Sequence, residues 1–379
     1  MRIAMFSDTY SPQINGVVTS INTFMHELRK KGHEVYIFGP QLKGVTEKDF
    51  EFRFQSAPYL FHSEHRLVYP YSRKLKQFKD LEIDVIHSHT PFSMGWLALR
   101  LAKKHKIPLV HTYHTLFTEY VHYLPVVGEG IGQWMAKRLS KDYCNSCSLV
   151  ITPSQAMQKE LHTYGVKTAM EVIPTGIDIT VKDKGDAEQA RVRYGLPPGK
   201  PILLYAGRLG KEKNIDFLLR VFRKVLQKNE DASFVIAGDG PYRKNLEWLA
   251  KVLHLEKRVL FTGYLDREDL ASLYKAATVF IFASVTETQG LVVGEAMDTG
   301  TPVVAVNAMG IADVIEGDKG GLASTLDVND FAKKTMKLLA DRELYQKKAV
   351  EAVKVGENMC TTLMAEKLVA GYQSILNKN

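Results

Sequence analysis

Short runs of apolar residues alternate along this chain with segments in which apolar residues recur every three or four positions. We predict that the short runs are β-strands at 3–6, 35–38, 85–87, 109–112, 149–152, 172–174, 202–206, 234–237, 259–262, 279–283 and 302–306. Helical periodicity covers 17–31, 95–105, 130–146, 154–164 and a tail from about 327 to 376. Strands that are apolar throughout are typical of parallel sheets covered by helices on both faces. The pattern therefore predicts an α/β chain built on doubly wound parallel sheets.

A polar stretch rich in turn residues separates two such series. It begins at the Pro-Thr-Gly sequence of 174–176 and ends at the Pro-Pro-Gly sequence of 197–199. We interpret it as a linker between two Rossmann-like halves. Their sheets would face each other across a cleft, because α/β folds bind ligands at the carboxyl ends of their strands.

Composition narrows the class of protein. The chain has 379 residues, of which 45% are hydrophobic and 24% charged, which excludes a disordered chain, a collagen-like fibre and a small disulfide-stabilised module. Cys144 and Cys147 have the C-x-x-C spacing, but no second pair completes a zinc site, so we expect packed thiols. No apolar stretch is long enough to span a membrane, and the first apolar run is too short for a signal peptide. A cytosolic protein is the expectation.

Positive charge is concentrated in the first half of the chain. The net charge is +8, and residues 1–176 hold 21 Lys and Arg against 15 Asp and Glu. Segment 66–79 carries no acid and interleaves aromatic residues with five cations: Arg66, Arg73, Lys74, Lys76 and Lys79. Such a segment suits an anionic membrane surface, and a solvated helix face is the alternative. No nucleic-acid-binding module is recognisable.

Two clusters of the second half are suited to a nucleotide. No G-x-G-x-x-G or phosphate-binding P-loop sequence occurs, and we interpret 238–241 as a tight turn. Arg208 and Lys213 lie five residues apart in a loop after a strand, so both can reach one diphosphate; a solvated basic turn is the alternative. Glu287 precedes a helix that begins near Gly290, and Glu295 lies inside it. Their spacing excludes a pair of carboxylates that shares one proton, and it predicts that each carboxylate contacts a different part of a ligand. The alternative is that Glu287 is an acid favoured by the helix dipole and Glu295 an exposed helix residue.

Histidines mark the ends of two strands in the first half. His87 and His89 lie at the end of one strand, and His111 and His114 lie at the end of the next. Residues in these places point into the ligand cleft of an α/β fold. Buried structural histidines are the alternative, and a metal site lacks an accompanying acid or cysteine.

Together these motifs resemble glycosyltransferase family 4, which has the GT-B fold, over essentially the whole chain. The matching sequences are Pro12–Val17, Lys31–Val35, Tyr113–Thr115, Ile173–Asp178, Gly207-Arg208 with Glu212-Lys213-Asn214, Ala237–Pro241, and Glu287 with Glu295 in the E-x7-E signature. The sequence is similar in particular to the subgroup that glucosylates diacylglycerol. The residues that carry this similarity are 286–291, 92–95, Tyr120, His122 and Tyr123. Where the family often has a second glycine in its first loop, this chain has Asn15.

The resemblance implies a retaining transfer of a hexose, glucose from UDP-glucose, onto a lipid such as diacylglycerol, by a protein bound peripherally to the cytoplasmic face of the membrane. It implies no obligatory metal or other cofactor. It also implies an acceptor-binding domain of 1–176 with about 360–379, onto which the C-terminal helix crosses back, and a nucleotide-sugar-binding domain of 177–359.

Residue roles follow from the same resemblance. Arg208 and Lys213 would hold the diphosphate, Glu287 the donor sugar, and His114 would position that sugar. The remaining donor-binding positions are Gly16, Gly207, Leu265, Gly290, Leu291, Val292 and Glu295. Three alternatives stay open: a GDP-mannose-dependent transferase, a transferase to a soluble acceptor, and a sugar-nucleotide 2-epimerase.

Overall fold

The protein forms two compact units. The computed structural model describes residues 1–13, 15–58, 66–116 and 129–377. Unit 1 comprises Met1–Gly176 and Thr361–Asn379, and unit 2 comprises Ile177–Cys360. Tyr120, His122 and Tyr123, which support the subgroup resemblance, lie outside the described residues. No helix within the described ranges is both long and apolar enough to cross a bilayer.

Unit 1 is built around a parallel sheet with helices packed against it. Its strands are β1 (Arg2–Phe6), β2 (Glu34–Pro40), β3 (Glu51–Phe54), β4 (Ser56–Pro58), β5 (Arg66–Val68), β6 (Val85–Ser88), β7 (Leu109–Thr112), β8 (Leu149–Thr152) and β9 (Met170–Val172). Its first helices are α1 (Gly16–Lys30), α2 (Ser93–His105), α3 (Glu129–Cys144) and α4 (Gln155–Thr163), and Arg73–Leu81 is a 3-10 helix. The strand order is β3-β2-β1-β6-β7-β8-β9, and β4 and β5 pair separately as an antiparallel ribbon.

Unit 2 repeats this plan. Its strands are β10 (Ile202–Ala206), β11 (Ser233–Ala237), β12 (Val259–Gly263), β13 (Val279–Phe282), β14 (Val303–Val306) and β15 (Gly321–Ser324). Its helices are α5 (Ala187–Arg193), α6 (Ile215–Leu226), α7 (Arg243–Val252), α8 (Arg267–Ala276), α9 (Leu291–Asp298), α10 (Met309–Val314), α11 (Val328–Ala340) and α12 (Arg342–Asn358). The sheet order is β12-β11-β10-β13-β14-β15, with parallel pairing throughout the described strands.

The last helix, α13 (Thr361–Leu376), returns to unit 1, which confirms the predicted crossing. Alternate residues of β1 explain why helices are needed on both faces of its sheet. Ile3 and Met5 join a buried cluster that includes Leu368 and Tyr372 of α13, whereas Phe6 joins a second cluster that includes Met94 of α2. Each large apolar side chain buried in this way contributes about 1.5–3 kcal/mol.

Both sheets have a point where the winding reverses, between β1 and β6 in unit 1 and between β10 and β13 in unit 2. Loops that follow the strands on either side of such a point diverge and leave a crevice at the carboxyl edge. The prediction of a doubly wound sheet is therefore confirmed for each unit. In this fold class, ligands bind at the loops that follow the strands next to the reversal, which here are the loops after β1, β6, β10 and β13.

Several sequence predictions need correction. The stretch interpreted as a linker contains a 3-10 turn and α5, which packs against α8 within unit 2; a Cβ at Gly185 would come 2.8 Å from the backbone of Ala271. β9 ends two residues earlier than predicted, and α3 ends at Cys144 rather than at 146. β3 and β15 were not predicted. Charged residues interrupt the apolar run of β3, and β15 has the sequence Gly-Leu-Ala-Ser, which lacks the large apolar residues typical of a buried strand.

Candidate functional site

The basic loop after β10 is held by backbone contacts to the loop after β11. Gly207 N–H donates to Ala237 O at 2.9 Å, and Leu209 N–H donates to Asp239 O at 2.9 Å. A Cβ at Gly238 would lie 2.0 Å from Gly207 O, so only glycine allows the two loops to approach. The turn at 238–241 therefore supports the loop that carries Arg208.

Both predicted diphosphate-binding cations have carboxylate partners. Arg208 Nη2 lies 2.7 Å from Glu212 Oε1, and Lys213 Nζ lies 2.6 Å from Glu287 Oε2. The four side chains are partly exposed, so water and a ligand can reach them. Each of the two cations therefore has its own carboxylate neighbour, and their convergence on one diphosphate stays a prediction. Glu212 belongs to the matched motif, but its pairing with Arg208 was not predicted, although a separation of four residues is the ordinary spacing of a local ion pair.

The loop after β13 brings Glu287 to the same edge of the sheet. Gly310 N–H donates to Glu287 O at 2.9 Å, which ties this loop to α10. Gly290 precedes α9 with φ of +76°, and a Cβ there would lie 2.3 Å from Ile311 Cδ1. The amides of Leu291 and Val292 begin α9, where the helix dipole favours negative charge.

Glu295 lies inside α9 and has a different partner from Glu287. Tyr274 Oη, from α8, donates to Glu295 Oε2 at 3.0 Å. Burial raises the pKa of the Glu295 carboxyl, and the Tyr274 hydrogen bond opposes that rise. The separate environments of the two carboxylates agree with the predicted spacing, and Tyr274 is a contact that no sequence motif indicated. Leu265 is half-buried after β12, next to the exposed Tyr264.

The site residues of unit 1 gather at the carboxyl ends of β6 and β7. His114 Nε2 lies 3.0 Å from His89 Nδ1, and the His89 ring stacks on His87 at 4.2 Å between centroids. Burial lowers the pKa of His114 and of His111 to about 3, and lowers those of His87 and His89 far below the usual range. All four imidazoles are therefore neutral at pH 7. A small pocket among His89, His111 and His114 is also lined by Val17, Thr90 and Phe92.

The loop after β1 completes this edge of unit 1. Asn15 caps α1 by accepting a hydrogen bond from Val18 N–H at 3.0 Å, so one amide at the start of this helix is already occupied. Gly16 is the first residue of α1, with open space around it. Asp8 accepts hydrogen bonds from Thr90, Ser93 and the Met94 amide, and burial raises its pKa to about 6. No sequence motif indicated Asp8.

The cations predicted to contact a membrane are not equivalent. Arg66 donates to Ser56 Oγ at 2.7 Å and to Ser56 O at 3.0 Å, and Lys74 pairs with Glu47. The other three side chains, which are exposed around the 3-10 helix, are Arg73, Lys76 and Lys79. Leu67, Tyr69 and Tyr71 are also exposed, by 59%, 66% and 68%. We call these six exposed residues the basic-aromatic patch.

The cysteine pair has no reactive character. Burial raises the pKa of Cys144 to about 12 and that of Cys147 well above its usual value. Thiols that stay protonated are poor nucleophiles and poor metal ligands. Within the described parts of the chain, no three His, Cys, Asp or Glu side chains are grouped to hold a metal ion.

Two family models match the chain. Residues 14–181 match the model for "Glycosyltransferase Family 4", and residues 186–354 match that for "Glycosyl transferases group 1". Together they cover most of both units.

Among similar proteins, the alpha-monoglucosyldiacylglycerol synthase of Streptococcus pneumoniae is 39% identical over 80% of this chain and 71% of its own length. The protein of the same name from Acholeplasma laidlawii is 30% identical over 80% of each chain. A GDP-mannose-dependent alpha-mannosyltransferase of Mycolicibacterium smegmatis is 26% identical over 100% of this chain and 98% of its own.

Solved structures share the architecture at lower identity. Sucrose-phosphate synthase from Thermosynechococcus elongatus superposes with a TM-score of 0.81 at 22% identity, covering 100% of both chains. Anabaena Alr3699/HepE in complex with UDP and glucose superposes with a TM-score of 0.78 at 20% identity, covering 99% of this chain and 100% of the other. At these identities the likeness shows the fold.

Proposed function

The chain belongs to glycosyltransferase family 4, near its diacylglycerol glucosyltransferase subgroup, and from that premise we propose that it transfers glucose from UDP-glucose to diacylglycerol at a membrane surface, with retention of configuration. It has the GT-B fold of that family. The observation that carries the proposal is the 39% identity to an alpha-monoglucosyldiacylglycerol synthase over 80% of the chain. The nucleotide-sugar site belongs to unit 2 in this proposal, and the acceptor site to unit 1.

The donor diphosphate is bound by Arg208, which exchanges Glu212 for phosphate oxygens, and by Lys213, whose ammonium has three N–H donors and contacts a phosphate while it keeps Glu287. Arg208 offers a planar fork and Lys213 a compact charge, and the amides of Leu291 and Val292 beyond Gly290 add hydrogen bonds. Gly207 keeps the backbone of the Arg208 loop close, and Gly16 borders the phosphate from the loop after β1. Charge that develops on the departing UDP is stabilised by these fixed donors, which is usually the largest catalytic contribution.

The sugar and nucleoside are recognised by hydrogen bonds. Glu287 accepts hydrogen bonds from sugar hydroxyls, and Lys213, 2.6 Å away, holds its carboxylate in place. Glu295 accepts from the ribose, oriented by Tyr274, and the backbone near Leu265 contacts the base. His114 positions the sugar from unit 1.

The transfer step breaks the bond between the anomeric carbon and the diphosphate oxygen while the acceptor oxygen bonds to the same face of that carbon. The acceptor proton passes to the departing phosphate oxygen, so no protein nucleophile is consumed. No metal or other cofactor takes part in this proposal, because Arg208, Lys213 and the α9 amides supply the positive field.

The decisive experiment is a turnover screen of UDP- and GDP-sugars, with and without vesicles that contain diacylglycerol. We expect UDP-glucose to be consumed fastest when the vesicles are present, and proton NMR of the product lipid to show an α-glucoside. Consumption of GDP-mannose instead would favour the second candidate, which the mannosyltransferase relative suggests. Absence of turnover with every donor would refute the transferase proposal.

The basic-aromatic patch supports the membrane part of the proposal. Three exposed apolar or aromatic side chains are followed closely in the sequence by three exposed cations, and the Tyr69 and Tyr71 rings are 5.9 Å apart. Aromatic rings settle at the headgroup level of a bilayer, while Lys and Arg are attracted to anionic lipids. Arg66 and Lys74 contribute less in this proposal, because each already has a partner in the protein.

Replacing Arg73, Lys76 and Lys79 together by alanine is expected to weaken binding to anionic vesicles by about 100-fold, since each nearby cation contributes about 1 kcal/mol. Co-sedimentation at low and high salt measures the change, and wild-type binding should itself weaken with salt. The matched control removes three exposed cations of unit 2, Lys228, Lys251 and Lys257, and should leave vesicle binding unchanged. Equal loss in both variants would show that net charge, not the patch, drives binding.

A further inference from the structure

His89 and His114 are joined directly through their ring nitrogens. His89 Nδ1 and His114 Nε2 are 3.0 Å apart, and the two rings are nearly parallel, at 21°. His89 is 2% exposed and follows β6, while His114 follows β7. The contact therefore links the carboxyl ends of two neighbouring strands at the rim of the small pocket.

Only two proton arrangements can make this contact between neutral rings. Burial lowers both pKa values far enough that each ring carries one proton at pH 7. Either His89 donates from Nδ1 and His114 accepts at Nε2, or His114 donates from Nε2 and His89 accepts at Nδ1. The first arrangement places the proton of His114 on Nδ1, and the second places it on Nε2.

The other nitrogen of His89 decides between these arrangements. His89 Nε2 is buried and has no hydrogen-bond partner among the described residues. In the second arrangement this atom would be a buried N–H without an acceptor, which is among the rarest and costliest defects in a protein interior. In the first it is a bare ring nitrogen.

We propose that His89 is the positioning residue of His114: it donates its Nδ1 hydrogen to His114 Nε2, holds the His114 ring in place, and keeps the His114 proton on Nδ1. His114 then meets the donor sugar as a neutral hydrogen-bond donor with a fixed tautomer. This kinetic consequence rests on the proposed function, whereas the tautomer is a property of the protein alone. His87 stacks on His89 but makes its own hydrogen bonds, to Tyr372 and Thr112.

The tautomer is measured by long-range proton–nitrogen correlation NMR on the full chain labelled with ¹⁵N-histidine. We expect His114 and His89 both to be protonated on Nδ1, which is the less common tautomer of a free imidazole. In the His89→Leu variant the His114 signal should shift toward the Nε2-protonated form. A wild-type spectrum with His114 protonated on Nε2 would overturn the proposal, whether or not the protein transfers glucose.

The kinetic test compares three variants. His89→Leu removes the donor and is expected to lower kcat by about 10- to 100-fold with little change in the donor KM, as is typical when the partner orienting a functional histidine is lost. His89→Asn should recover most of the rate, because its amide nitrogen lies at the same bond distance from Cβ as Nδ1. His87→Leu, the matched control, removes an equally buried imidazole whose ring nitrogens are hydrogen-bonded to Tyr372 and Thr112, and should change kcat less than threefold, within about 0.6 kcal/mol.

Two kinetic outcomes would contradict the positioning role: His89→Asn no more active than His89→Leu, or His87→Leu as impaired as His89→Leu. Either would mean that the cluster matters only for packing. Loss of all transfer in the wild-type protein would instead refute the proposed function and leave the NMR result to decide on the tautomer.

Discussion

Replacing Lys213 by alanine is expected to lower kcat for glucosyl transfer by about 10²- to 10³-fold, the usual effect of removing one fixed donor from a developing anion. Lys213 is the cation proposed to neutralise the departing diphosphate, and its loss also leaves Glu287 without its ion-pair partner. Because the contact strengthens as charge develops, kcat and kcat/KM should fall together. Steady-state kinetics with UDP-glucose and diacylglycerol vesicles measure both constants.

Lys211 is the matched control for this substitution. It lies on the same short 3-10 turn, Lys211–Lys213, but its side chain is exposed. Lys211→Ala removes the same charge from the same loop and is expected to keep nearly full activity. Equal losses of activity in the two variants would show that the transfer rate depends on the overall electrostatic potential of the loop and not on the position of Lys213.

A double-mutant cycle separates the ion pair from the individual roles. Glu287→Ala and Lys213→Ala should each be severe, and the double variant should be little worse than either, since groups that act as a unit are strongly non-additive. Strict additivity would argue that the 2.6 Å contact has no part in the transfer step.

Acidification is expected to unfold unit 1 before unit 2. His87, His89, His111 and His114 are neutral in the folded unit, whereas in the unfolded chain they take up protons below their ordinary pKa of 6.5. The stability that these groups contribute is complete above pH 6.5 and is lost as pH falls toward about 3. At about 1.4 kcal/mol per pKa unit, the buried histidines outweigh Asp8, whose raised pKa acts in the opposite direction between 6 and 3.8.

Unit 2 responds to acid differently. His254 is its one histidine, and burial raises the pKa values of Glu295 and Asp298, so the folded unit takes up those protons first and gains stability as pH falls. Hydrogen bonds and nearby cations lower the pKa values of Asp231, Asp239 and Glu351. The pKa of Asp330 is held well below the usual range by hydrogen bonds from Thr325 and Lys334. That contribution is lost only below about pH 4, because Asp330 stays ionised above it.

Hydrogen exchange with mass spectrometry, measured on the whole protein from pH 7 to pH 4, distinguishes the two units. Peptides from β6 and β7 should lose protection first, while those from β10 and β13 stay protected. A variant with His111 replaced by asparagine should shift the loss in unit 1 to lower pH, since it removes one group that gains a proton on unfolding. Simultaneous loss in both units would contradict the assignment of acid lability to the histidine cluster.

Strand positions were largely predictable from the sequence. Runs such as 109–112 and 202–206 agree with β7 and β10 to the residue, because a strand buried on both faces is apolar throughout. β15 lacked that signal because it consists mostly of small residues. A Cβ at Gly321 would lie 2.2 Å from Val303 O, so this strand packs by approaching β14 closely and not by burying large side chains. α5 was missed because its seven residues lie between turn residues, and its burial against α8 is a tertiary effect.

The site was predictable as a set of residue types and much less as a set of contacts. Arg208 and Lys213 were recognisable from local spacing, whereas Gly207 followed from the family resemblance. The partner of Lys213 lies 74 residues further along the chain, and it reaches that position only because β10 and β13 pair in the sheet. The contact between His89 and His114 arises in the same way, from the pairing of β6 with β7. Hydrophobic periodicity and motif spacing do not predict such contacts between residues that are far apart in the sequence.

The return of α13 to unit 1 has a consequence for how the protein is made. A ribosome completes the whole of unit 2, Ile177–Cys360, before it synthesises the helix that covers Ile3, Met5 and Val85 of the unit 1 sheet. During that interval the earlier-synthesised unit keeps an uncovered apolar face, the kind of surface that chaperones bind in nascent chains. Unit 2 can thus fold first although it is made second, and unit 1 waits for Met364, Leu368 and Tyr372 to leave the ribosome.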